Sequence, residues 1–358
     1  MKNYIIAEAG VNHNGSMDIA YKLIDEAYDA GADAVKFQTF NTKNLVTGDS
    51  PKAEYQKLST DSKESQFSML KKLELSKENH YLLNNYCLKK GIDFLSTAFD
   101  IDSLKFLVNE IRPKKLKIAS GELTNGPFLL AHTKTKPDIL LSTGMSTFSE
   151  INDALEVLAF GLIGDKKTKP SKDAFRECFK TDIAQEILRK KVTILHCTSE
   201  YPAPMNEINL KAMESLSKRF GLKVGYSDHS EGTLVPILAA SMGATVIEKH
   251  LTLDKKMLGP DHQASIEPFE LRFMIESIRS LEKIMGDSKK FPSKSEIKNI
   301  KIVRKSLVAS RDIKKGEKFS KDNLTAKRPG DGLNPMHYWN LLGKRSKTII
   351  KEGELIDE

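Results

Sequence analysis

Cysteine is scarce in this chain: Cys87, Cys178 and Cys197 are the only three in 358 residues. An odd number with no CxxC pair indicates neither a disulfide framework nor a thiolate zinc cage. Long hydrophobic runs are missing too. No run approaches the ~18 apolar residues of a membrane span. The N-terminal MKNYIIAEAGVNHNG turns polar too early for a signal peptide, so a cytoplasmic location is expected. No stretch interleaves Arg with aromatics and no helix-turn-helix signal occurs, so neither nucleic acid nor membrane is an expected partner.

What is present describes a folded protein. Apolar residues make up 39% and charged residues 29%, which excludes a disordered or fibrous chain. The formal charge of +8 is a mild excess. It suits a Lys-rich surface, or a positive field that attracts a small anionic substrate.

Short apolar runs alternate with amphipathic stretches. The runs are 4–7, 34–37, 92–95, 115–118, 138–141, 192–195, 223–226 and 244–247. Their length and spacing predict eight parallel strands joined by crossover helices. The first helix is capped by Ser16, repeats Ile19, Leu23, Ile24 and Ala27 on one face, and stops at Gly31. Eight such units match a TIM barrel over residues 1–285. Residues 165–190 read as an exposed insertion, polar first and then weakly helical. Residues 286–300 read as a linker. Residues 301–358, with Lys-x-Gly-Glu turns at 314–317 and 351–354, read as a small β-rich domain.

In such a barrel the active site lies at the C-terminal ends of the strands. Each predicted strand ends there in polar residues. Strand one runs into Glu8, strand two carries Lys36 and Gln38, and strand three ends at Ser96 and Thr97. Strand four gives Lys117, Ser120 and Glu122, and strand five gives Ser142. Strand six gives His196, Ser199 and Tyr201; strand seven gives Ser227 and His229; strand eight gives Glu248, Lys249 and His250. Buried lysines are costly unless paired. Lys36 and Lys117 therefore either pair with a neighbouring carboxylate or face the barrel mouth and bind a multiply charged anion. Ser120, Ser142 and Ser227 complete an anion pocket in the second case. His229 and His250 end adjacent strands, and two His with a carboxylate such as Glu8 leave open positions on a divalent metal. His196 lies within an apolar strand and reads as structural.

The segments AEAGVNHNG (7–15), AVKFQTF (34–40), KIASGE (117–122), LHCTSEYPAP (195–204), GYSDHS (225–230) and IEKHLTLDKKMLGPDHQASIEP (247–268) resemble the sialic acid synthases. The stretch 303–332 resembles their antifreeze-like, or SAF, domain. The resemblance implies a transferase that condenses phosphoenolpyruvate with an N-acylated mannosamine-type sugar and water. The product is N-acetylneuraminate from N-acetylmannosamine, or N,N'-diacetyllegionaminate from 2,4-diacetamido-2,4,6-trideoxymannose. It also implies a divalent metal, manganese with magnesium or cobalt as substitutes, on His229 and His250. Phosphoenolpyruvate falls to Lys36, Lys117, Ser120, Ser142 and Ser227, and to Ser199, where some relatives carry Asn. Glu122 moves a proton or orients the sugar. Glu8, Gln38, Tyr201 and Asp261 contact sugar and water. Arg328 reaches the partner subunit's site in a domain-swapped homodimer. Two other readings stand beside this one: a 3-deoxy-2-keto sugar phosphate synthase, and a noncatalytic carbohydrate-binding protein.

Overall fold

The computed structural model describes residues 3–61, 64–164 and 167–357. The chain divides into two compact units, Met1–Met285 and Gly286–Glu358.

The first unit is a closed barrel of eight parallel strands. They are β1 (Tyr4–Gly10), β2 (Ala34–Thr39), β3 (Asp93–Ala98), β4 (Lys115–Ile118), β5 (Asp138–Ser142), β6 (Val192–His196), β7 (Lys223–Asp228) and β8 (Val246–His250). Each pairs with its chain neighbour, and β8 closes onto β1 with His250 opposite Glu8. Most strands run further towards their C-terminal ends than the apolar runs suggest. Strand β8 is displaced the same way: Ala244 and Thr245 precede it, and Glu248, Lys249 and His250 belong to it. Backbone pairing carries the strands through these polar residues.

Alternate residues of a strand share a face, and that periodicity builds the barrel interior in layers. Ile6, Ala34, Leu95, Leu140, Leu195 and Val246 form one buried apolar cluster that plugs it. Two residues further along stand Glu8, Lys36, Thr97, Ser142 and Glu248 on the same strands, and Cys197 just past the end of β6. The plug excludes water from below, so the polar layer above it opens only at the C-terminal end.

Strand β7 contributes Gly225 at the level of the plug. A Cβ there would lie 2.6 Å from both the Leu195 side chain and the Val246 carbonyl. Gly225→Ala is therefore expected to destabilise the barrel by roughly 1–3 kcal/mol through overpacking. Urea denaturation checks this; an unchanged midpoint would mean that the strands part without cost.

Helices cover the outside. The Met17–Asp29 helix starts at the Ser16 cap and buries Ala20, Leu23, Ile24 and Ala27. Ser171 caps the Lys172–Phe179 helix, and Thr181 caps Asp182–Lys191. These two short helices make up most of the insertion and pack on the Phe148–Ile163 helix. Only Ala184 and Leu188 are fully buried in them, which accounts for their weak apolar signal. Residues 165 and 166 of the expected insertion lie outside the described residues. Between β2 and β3 the chain makes a longer excursion through the helices Thr42–Leu45, Glu54–Ser59 and Gln66–Leu73.

The second unit centres on an antiparallel pair, β9 (Ser306–Ala309) and β10 (Leu324–Lys327). Its core comprises Leu307, Ala309, Ile313, Phe319, Leu324, Leu341, Ile350 and Ile356. The two Lys-x-Gly-Glu segments are the same turn made twice. In each, Glu317 or Glu354 accepts a bond from the backbone N–H of Lys314 or Lys351. Gly316 and Gly353 take φ +82° and +83°, a conformation that glycine adopts without steric cost. The stretch expected as a linker runs into a helix, Lys294–Val303, because Ser293 and Glu296 form a capping box.

Candidate active site

The polar layer opens into a cavity of about 330 Å³ at the C-terminal end of the barrel. Glu8, Lys36, Gln38, Lys117, Ser120, Ser142, Ser199, Tyr201, Ser227, His229, His250 and Asp261 all line it. Residues from eight strands and their following loops thus converge on one space.

Its floor is an ionic network. Lys36 Nζ lies 2.5 Å from Glu8 Oε2 and 3.7 Å from Glu248 Oε2, and it donates to Thr97 Oγ1 at 2.9 Å. Lys117 Nζ donates to Glu248 Oε1 at 2.5 Å, and Ser227 Oγ donates to the same oxygen at 2.9 Å. Each lysine pairs with a carboxylate, and each also lines the cavity.

Burial acts differently on the two carboxylates. It pushes Glu8 up to about 7, helped by repulsion from Glu248 and opposed by Lys36. Burial also works to raise Glu248, but Lys117 and Lys36 outweigh it and hold that carboxyl well below its ordinary range. Lys36 is raised, because Glu248 and Glu8 overcome its own desolvation. Near neutral pH the floor therefore holds two ammonium groups, one firm carboxylate and one carboxyl poised to exchange a proton. Protonation of Glu8 frees Lys36 to meet an anion.

Above the floor stand the two imidazoles. Their rings lie 5.6 Å apart, and Tyr201 stacks on His229 at 4.1 Å. Burial lowers His229 to about 4 and holds His250 well below its ordinary value, so both are neutral at pH 7. His229 Nδ1 faces the Thr198 carbonyl at 2.6 Å and must carry the proton. That leaves the Nε2 lone pair, which accepts from the Tyr201 hydroxyl at 3.1 Å. The buried Nδ1 of His250 has no hydrogen-bond partner among the described residues, and Asp261 Oδ2 is 3.9 Å away. Two neutral, desolvated imidazoles with available nitrogen lone pairs fit a divalent cation. No group of three His, Cys, Asp or Glu suited to a metal occurs among the described residues. Water and substrate oxygens would supply the other donors.

The anion side is shaped by close approach. Gly144 N donates to Ser120 Oγ at 3.1 Å. A Cβ at Gly144 would strike Ser199 Oγ, and would come within 2.8 Å of Ser120 Oγ and 3.1 Å of Cys197 Sγ. Only glycine leaves these hydroxyls room at the end of β5.

Glu122, expected in the site, is not among the residues lining the cavity. Glu122 closes a single 3-10 turn, Ser120–Glu122; Ser120 lines the cavity, whereas the Glu122 carboxylate accepts from Asn125 Nδ2 at 2.7 Å. Arg328 belongs to the second unit, where its Nε donates to the Val303 carbonyl at 3.0 Å and the side chain is exposed. His196 bonds the Ile208 carbonyl at 2.8 Å, a structural role. Conversely, Glu248 emerges as the hub of the floor. Its period-two spacing from His250 is the signal that identifies it. Tyr55, Gln56, Met69 and Leu70 also line the cavity, from the excursion after β2, where no strand phase reveals them.

Residues 23–290 match the NeuB family, and residues 304–358 match the SAF domain. The chain is 50% identical over 357 residues to an N,N'-diacetyllegionaminic acid synthase of Campylobacter jejuni, covering 100% of this chain and 99% of that one. It is 43% identical to a protein of the same name from Legionella pneumophila, over 99% and 93% of the two chains. It also resembles the crystal structure of an N-acetylneuraminic acid (sialic acid) synthetase from Leptospira borgpetersenii. The TM-score is 0.66 and the identity 32%, with 84% of this chain and 90% of that one covered. With its eight-stranded barrel, the convergent polar cavity and these matches along nearly its whole length, the chain belongs to the NeuB family.

Proposed function

We propose that this chain is a nonulosonic acid synthase. It condenses phosphoenolpyruvate with 2,4-diacetamido-2,4,6-trideoxymannose and water to give N,N'-diacetyllegionaminate and phosphate, in the cytoplasm. The observation that carries the chemistry is the layering of the site: two buried ammonium groups lie beneath two neutral imidazoles in one cavity. The names of the two relatives above favour the legionaminate sugar. Formation of N-acetylneuraminate from N-acetylmannosamine is the second reading, favoured by the Leptospira structure.

C3 of phosphoenolpyruvate forms a bond to the sugar's aldehyde carbon, whose oxygen takes a proton. Water adds at C2, and the C2–O bond to phosphate then breaks. Lys36, Lys117, Ser120, Ser142 and Ser227 hold the carboxylate and phosphate of phosphoenolpyruvate, with Ser199 at the edge. These contacts offset the desolvation of a multiply charged anion. Glu8, with its carboxyl near 7, exchanges the proton that the aldehyde gains and the water loses. Gln38, Tyr201 and Asp261 orient the sugar and water. A divalent cation on His229 and His250, manganese in this proposal, would supply polarisation of the aldehyde oxygen and of water.

In this proposal Arg328 completes the partner subunit's cavity in a domain-swapped homodimer. A charged hydrogen bond of this kind contributes about 1.5–3 kcal/mol. Arg328→Ala is therefore expected to raise KM for the sugar roughly 10- to 100-fold and to leave phosphoenolpyruvate binding unchanged in calorimetry. Loss of phosphoenolpyruvate binding would contradict the role.

The test of the reading is a side-by-side assay of both sugars with phosphoenolpyruvate and manganese. Higher kcat/KM with the diacetamido sugar supports legionaminate synthesis. Higher kcat/KM with N-acetylmannosamine supports the second reading, and inactivity with both refutes the class.

A further inference from the structure

Above the ionic floor the two sides of the cavity differ in character. On β7 and β8 the residues two positions beyond the floor are His229 and His250, joined by Tyr201 and Asp261. On the β1 and β3 side stand Val11, three positions beyond Glu8, and Phe99, two beyond Thr97, joined by Met69 and Leu70 from the Gln66–Leu73 helix. Gln38 interrupts this wall on β2.

The wall is solidly backed. Val11, Leu70 and Phe99 belong to a separate apolar cluster with Phe40 and the buried Leu73, beneath the excursion after β2. Val11 is 4% exposed and Met69 3%. A hydroxyl pressed against these side chains loses its water and finds no partner from them. A methyl group there is buried at no such penalty.

The open-chain sugar has one reactive end. Its aldehyde carbon must lie between the floor, which holds the nucleophile, and the imidazoles. Carbon 6 is the far end of the chain, and Phe99 follows β3, which stands across the closed barrel from β7 and His229.

We propose that Val11, Met69, Leu70 and Phe99 form the subsite for the sugar's C6 group and set a preference for a 6-deoxy substrate. This inference rests on the synthase reading above. It assigns substrate discrimination to residues that make no contact with the reacting atoms.

The experiment compares 2,4-diacetamido-2,4,6-trideoxymannose with 2,4-diacetamido-2,4-dideoxymannose, which differ only by the hydroxyl at C6. Both acetamido groups cancel in the ratio of kcat/KM. The unaltered enzyme is expected to favour the 6-deoxy sugar roughly 10- to 100-fold, the range for an apolar pocket meeting an added hydroxyl. Val11→Thr adds a hydroxyl at nearly constant volume, and Leu70→Asn adds an amide. Each is expected to lower the ratio about tenfold, chiefly by improved use of the 6-hydroxy sugar. Because each enzyme serves as its own control, a partly unfolded variant still reports a ratio. No preference in the unaltered enzyme overturns the inference. A preference that neither variant changes also overturns it, since another part of the cavity then reads C6. In both cases the synthase reading survives. Inactivity of the unaltered enzyme with both sugars instead removes the synthase reading, and this inference with it.

Discussion

His250→Ala is expected to lower kcat about a thousandfold or more while leaving the barrel folded. The imidazole faces the cavity from β8, opposite Glu8 on β1. Its buried Nδ1 has no hydrogen-bond partner among the described residues, so truncation breaks no bond to them at that atom. The fold therefore loses little. The chemistry loses much, because two nitrogen donors are what the protein offers to a cation here, and halving them removes the charge that would polarise the aldehyde. Several kcal/mol of transition-state stabilisation correspond to three or more powers of ten in rate. His229→Ala is expected to behave alike, with a further cost from freeing Tyr201 and Thr198. Steady-state kinetics, circular dichroism and metal content measured together check this. Retained metal and near-normal turnover would show that the imidazoles serve the fold alone.

Lys249→Met is expected to destabilise the protein by about 3–5 kcal/mol. Lys249 and Asp228 are both wholly buried, with Nζ 2.6 Å from Oδ2, and Lys249 also donates to the Ser230 carbonyl. Asp228 further accepts from Ser230 N and Oγ at 3.1 and 2.8 Å. Each member of the pair immediately precedes a cavity histidine. Because strand residues alternate between faces, the pair lies behind the sheet while His229 and His250 face the cavity. Removing one partner leaves a charge buried without compensation, which is the costly case for a buried ion pair. Removing both costs less: Lys249→Met combined with Asp228→Leu is expected to recover much of the loss. Chemical denaturation of the three proteins tests this, and a Lys249→Met protein within ~1 kcal/mol of the parent would contradict it.

The barrel was legible in the sequence because its plug is apolar and its strands alternate with capped helices. The ends of the strands were less so. Apolar runs stop where the inner layer turns polar, so Glu248 to His250 read as a strand end although all three residues pair within the sheet. The same switch made the site legible, since most of its polar residues follow apolar runs at strand ends. Glu248 shows in the sequence as a carboxylate at period-two spacing from His250, but its place as the hub of the floor depends on Lys36 and Lys117 from other strands. Glu122 follows β4 in the sequence, but the 3-10 turn directs it to Asn125. Tyr55, Gln56, Met69 and Leu70 come from short helices whose distance from the barrel mouth only the fold determines.

The paired lysines bear on how an anion enters. An empty floor with both carboxylates charged is nearly neutral. Glu8, pushed up to about 7, is the group that changes this, since binding an anion favours its protonated form. The floor thus couples substrate binding to a proton that the condensation uses.

The most direct measurement of the central claim is a single-turnover reaction with phosphoenolpyruvate carrying ¹⁸O in its bridging oxygen, together with 2,4-diacetamido-2,4,6-trideoxymannose and manganese. The condensation predicts one nine-carbon keto acid per phosphate released, with the label in the phosphate. Unlabelled phosphate with pyruvate and no nine-carbon product would show cleavage at phosphorus, and would contradict the account.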